Sequence, residues 1–167
     1  MELHYGDRWF HARKRSIDVL DEDTARARHA AHQPYTVVVG SLERPTHVIS
    51  FASPWVSVGF FDASRREYLS YDFKETGTVP ESLFLKMAEF REFKHSDKPV
   101  ASTRFAYAPS GRLLIERQDL ETGETLEREQ PDDLSENWED YPTFGSYASL
   151  CRAERLPATR SPVTDHP

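Results

Sequence analysis

The chain has 167 residues, of which 38% are hydrophobic, 12% aromatic and 29% charged, with a net charge of −7. That is enough for one domain with a packed core, and too apolar for an intrinsically disordered chain. The acidic balance disfavours nucleic acid as a partner, because phosphates are repelled.

The chain opens without the basic and then apolar pattern of a secretory signal in Met1 to Phe10. No apolar run reaches the roughly 18 to 20 residues that a membrane helix needs. Both readings place the protein in the cytoplasm, away from membranes. Residues 1–34 form a peripheral segment. Trp9-Phe10 and Ile17, Val19 and Leu20 suit short strands or an edge hairpin around the basic turn Arg13-Lys14-Arg15. Asp21 to Thr24 then precede an alanine- and arginine-rich run, with acids in front and bases behind, as a helix dipole favours. Pro34 ends that surface helix.

Tyr35 to Phe73 is the organising stretch. Four short β-branched and aromatic runs are separated by Gly40 to Pro45, Ser53-Pro54 and Asp62 to Arg66, the spacing of an antiparallel meander. Alternation puts Val56, Val58 and Phe60 on one face, and Leu69, Tyr71 and Phe73 on one face of the next strand. Thr78, Pro80 and Glu81 then have the pattern of a helix start. Leu83, Phe84, Met87, Phe90 and Phe93 follow at helical spacing, which predicts an amphipathic helix over 78–94 packed on the sheet.

A second meander is expected from Val100 to Glu129, turned at Pro109-Ser110-Gly111 and Glu121-Thr122-Gly123. Its last strand carries Leu126 among charges, as a protected edge does. Next come an acidic loop and four aromatics, Trp138, Tyr141, Phe144 and Tyr147, which should form a compact hook on the core. Cys151 is the single cysteine and closes no internal disulfide, in keeping with a reducing compartment. Residues 157–167 read as a frayed tail. The expected fold is therefore one α+β domain over 1–167, a mostly antiparallel sheet of about six or seven strands with one main helix.

Two sets of residues stand out as candidate sites. From Glu116 to Asp140 the chain carries 11 acids and 2 arginines, a net of −9, leaving +2 for the remainder. Asp119, Glu121, Glu124, Glu127, Glu129, Asp132, Asp133, Glu136, Glu139 and Asp140 would form an acidic face, with Trp138 and Tyr141 as anchors for a basic protein partner. The other set is a pocket of His47, Tyr68, Tyr71 and Asp72, in which His47 and Asp72 would pair for acid–base chemistry. No nucleophile or glycine-rich turn accompanies that pair, so a structural histidine is the simpler reading. His4, His11, His29 and His32 lack a metal-binding pattern with a cysteine partner. Neither a metal nor an organic cofactor is expected, and the protein is not read as an enzyme.

The run Trp138-Glu139-Asp140-Tyr141-Pro142-Thr143-Phe144-Gly145-Ser146-Tyr147, after a glycine-turned acidic hairpin, resembles the endings of small actinobacterial immunity proteins of polymorphic toxin systems. Tyr35 to Ser41 and Tyr68 to Tyr71 resemble the same group, and the likeness in layout covers residues 35–150. The resemblance implies a small cytoplasmic α+β protein that binds a toxin domain and blocks it. It transfers no individual contact residue.

Overall fold

The computed structural model describes residues 1–78 and 81–156. The expected tail lies outside those residues. The observed fold is β-rich, with eleven strands in one antiparallel sheet. The strands are β1 (Leu3–Phe10), β2 (Arg15–Leu20), β3 (Tyr35–Gly40), β4 (Pro45–Ala52), β5 (Trp55–Phe61), β6 (Glu67–Glu75), β7 (Ser82–Glu92), β8 (Ala101–Ala108), β9 (Arg112–Asp119), β10 (Thr125–Pro131) and β11 (Trp138–Asp140). Their order is β10-β9-β8-β7-β6-β5-β4-β3-β1-β2, and β11 pairs with β7. The only α-helix among the described residues is α1 (Glu22–Ala30).

Both meanders form as alternation and turn chemistry dictate. Gly111 and Gly123 adopt φ +95 and +80 at the two predicted hairpin turns. The N-terminal hairpin and the surface helix also form. Asp21 caps α1 by accepting the Thr24 N–H at 2.7 Å, and Ala25 is its one buried residue.

The predicted main helix over 78–94 is instead the strand β7, and the α+β class with about six or seven strands is corrected with it. Leu83, Leu85, Ala88 and Phe90 face the core. Between Leu85 and Met87 the register with β6 slips, and Lys86 is passed over. A bulge of this kind adds one residue to the alternation. The apolar positions thereby lose strict period two and fall on helical spacing by coincidence. Phe84 is also buried, from the opposite side, because Trp138 packs on it at 4.8 Å. Val79 and Pro80 of the expected helix start lie outside the described residues. Glu81 reaches back to the Gly77 N–H at 3.0 Å, closing a turn between β6 and β7.

The two faces of the sheet have different fates. Val37, Ile49, Val58, Tyr71, Ala88 and Phe105 align across neighbouring strands on the packed face. Residues 141–156 close over that face, with Tyr147, Leu150 and Leu156 fully buried. His29 ties the helix to this hook, with Nε2 2.9 Å from the Pro142 carbonyl and Nδ1 2.7 Å from the Tyr35 hydroxyl. β1 pairs with β3 from Leu3 to Gly6 and leaves it beyond that point. The end of the β1–β2 hairpin then lays Trp9 against Val38, Val48 and Phe61. The rest of the outer face carries no second layer among the described residues.

Candidate protein-binding surface

On the packed face the interior is filled by the protein's own side chains. His47 opposes Phe60, which opposes Leu69, so His47 points into the packed layer. Its ring meets Phe60 edge-on at 4.9 Å, and its Nδ1 lies 2.9 Å from the Thr46 hydroxyl. Burial pulls the His47 imidazole below its ordinary value. Tyr71 is fully buried and donates its hydroxyl to the Ala153 carbonyl. Tyr68 packs beside Phe60, half-buried. Asp72 opposes Ser57 on the outer face and accepts its hydroxyl at 2.6 Å. His47 and Asp72 are thus on opposite faces of the sheet and form no dyad.

Among the described residues, the N-terminal histidines are engaged separately. His4 meets Glu2, His11 faces Glu67, His29 is held inside, and His32 lies 3.5 Å from Glu75. Among the described residues no group of three His, Cys, Asp or Glu converges as metal ligands would. Burial pushes the Cys151 thiol up to about 11, away from the thiolate a nucleophile needs.

The acidic stretch divides by role. Glu139 pairs with the fully buried Arg155, and Glu136 with Arg152 at 2.7 Å. Glu129 holds Arg112, and Glu121 holds Lys94, each at 3.0 Å on the surface. Asp119 accepts the N–H groups of Glu121 and Thr122 at 2.9 Å, and these bonds hold its carboxyl below the usual range. Asp133 accepts the Ser135 N–H, and Asp132 donates its own N–H to the Gly111 carbonyl. Glu124 and Glu127 are exposed on and beside the edge strand β10. Asp140 is exposed beside Trp138, on β11. Tyr141 is not a free anchor, since it stacks on His32 at 4.9 Å and packs against the core. Trp138 remains half exposed, at 50%.

The outer face brings Trp138 together with Trp55, Lys74 and Leu114, which the sequence pattern did not mark. Trp55, Lys74, Phe84 and Trp138 stand in one cross-strand row. The Lys74 ammonium lies over the Trp55 ring at 5.8 Å. In the next row stand Ser57, Asp72, Met87, Ala106 and Leu114. Trp55, Met87 and Leu114 are exposed at 37, 47 and 43%. The available signal was apolar residues at both parities of β5 and β7, which leaves some of them on a face without a second layer. Tryptophans at the surface of a sheet, bordered by charge, are the composition of binding hot spots rather than of a solvated face. No family model, curated protein or solved structure matches the chain.

Proposed function

We propose that this protein is an inhibitory binding protein of the cytoplasm, an immunity protein that neutralises a toxin domain by covering its active site. The observation that carries this reading is Trp138, half exposed on the outer face next to the acidic β10–β11 segment. An exposed tryptophan with the exposed Asp140 two residues along the same strand suits a basic protein surface. Charge of one sign there speeds association and makes it sensitive to salt. The resemblance of Trp138 to Tyr147 to immunity proteins points the same way. The packed face supports a binding role over an enzymatic one, because its core positions are taken up by the protein's own side chains.

The test is growth. The tagged protein is used to isolate its partner from a lysate of its source. That partner is then expressed alone and together with this protein. Growth arrest by the partner, relieved by co-expression, supports the reading. A partner that is harmless alone, or whose toxicity persists on co-expression, contradicts it.

A further inference from the structure

The outer face is covered at one end by Trp9 of the hairpin, and Trp138 lies on Phe84 further along. Between them Trp55 and Met87 stay exposed. Beside these two a slot of about 190 Å³ opens, lined by His11, Ser57, Gly59, Glu67, Ser70 and Asp72 with neighbouring groups. It is smaller than the roughly 300–1,000 Å³ of pockets that hold metabolites or cofactors, so its scale suits a single side chain.

The slot's chemistry selects the charge of that side chain. Among the described residues, the Asp72 carboxylate accepts one hydrogen bond, from the neutral Ser57 hydroxyl. The ammonium nearest along the strand, Lys74, is drawn over Trp55 instead. Glu67 has Arg91 at 3.3 Å and His11 at 3.6 Å, both loose contacts for a carboxylate. Gly59 gives Glu67 its place, since a Cβ there would stand 2.9 Å from Glu67 Oε2. Two carboxylates and the serine hydroxyls therefore face a small opening next to exposed apolar surface.

We propose that the bare part of the outer face seats a basic segment of the protein partner. An arginine or lysine of that segment enters the slot at Asp72 and Glu67, and the apolar side chain beside it covers Trp55 and Met87. This rests on the reading that the chain binds a basic protein, and it assigns the docking face.

The probe is the peptide acetyl-Arg-Leu-Arg-Leu-Arg-amide, titrated at low salt into the isotopically labelled full chain and followed by NMR. A version with glutamate in place of arginine is the control. Saturable shifts are expected at the Trp55 indole and at the amides of Ser57, Ser70 and Asp72, with none from the control. Asp72→Asn and Trp55→Ala should each weaken the peptide about tenfold, as loss of a central contact does, with unchanged unfolding midpoints. Shifts confined to Glu124 and Glu127, or equal affinity in both variants, would overturn the proposal. So would concentration-dependent shifts at Trp55 without peptide, which would assign the face to a second copy of the chain. No toxin enters this titration, so it can fail while growth rescue succeeds, and the reverse.

Discussion

The Arg155 guanidinium, with no exposed surface, donates to the carboxylate of Glu139 and so locks the end of the described chain to strand β11. It also donates to the carbonyls of Glu136 and Ser149, each at 2.8 Å, and lies 5.2 Å from the centre of the Phe73 ring. A residue that the charge pattern offered as a docking carboxylate therefore holds the hook in place. Arg155→Ala leaves that carboxylate without its cation, and breaking a buried pair costs about 3–5 kcal/mol. Urea denaturation should show a fall of that size. A loss below about 1 kcal/mol, as an exposed ion pair gives, would mean that the pair is not a lock.

The strand at 82–92 makes an opposite prediction from a helix for two neighbouring side chains. Leu85 is fully buried and Met87 is 47% exposed. Leu85→Ala should cost about 2–5 kcal/mol, and Met87→Ala should stay within about 0.5 kcal/mol. A helix with Met87 on its buried stripe would give a large loss at Met87.

Acid should loosen the fold through two imidazoles. Burial holds His29 and His47 below the ordinary 6.5 in the folded protein. The unfolded chain therefore binds more protons once the pH drops below 6.5. Their contribution is complete above that pH and is lost as the pH falls through the folded values. Urea midpoints should be lower at pH 5.5 than at pH 7.5, and the difference should shrink in His29→Gln. An unchanged difference in that variant would remove His29 from the account.

Cys151 should be slow to alkylate. With its thiol pushed up to about 11 by burial, the reactive thiolate is scarce at pH 7.5. Iodoacetamide should label the native protein far more slowly than the urea-unfolded chain. Equal rates would contradict the buried placement.

Much of this fold is legible in the residues. The two meanders, the N-terminal hairpin and the capped helix follow from alternation, β-branching, turn glycines and Asp21. The edge strand is announced by the charges around Leu126. The bulge at Lys86 was not legible, since one inserted residue turns a strand's period into a helix's. The placement of His47 and Asp72 was within reach. His47 alternates with Ile49 and Phe51, and Asp72 alternates against Tyr71 and Phe73, so a shared core already separates the two. The locking of Glu139 by Arg155 depends on a contact across 16 residues of irregular chain, which no periodicity records. The bare outer face was hidden for a related reason. Which of two apolar parities is left uncovered depends on where the hook and the hairpin land.

The most direct test of the binding account is calorimetric titration of the isolated partner into the wild-type protein and Trp138→Ala, at about 50 and 300 mM salt. The account predicts a complex that weakens as salt rises, as electrostatically complementary surfaces do. It also predicts about a tenfold loss or more in Trp138→Ala at both salts. An affinity indifferent to salt and unchanged by the substitution would place the contact elsewhere and contradict the account.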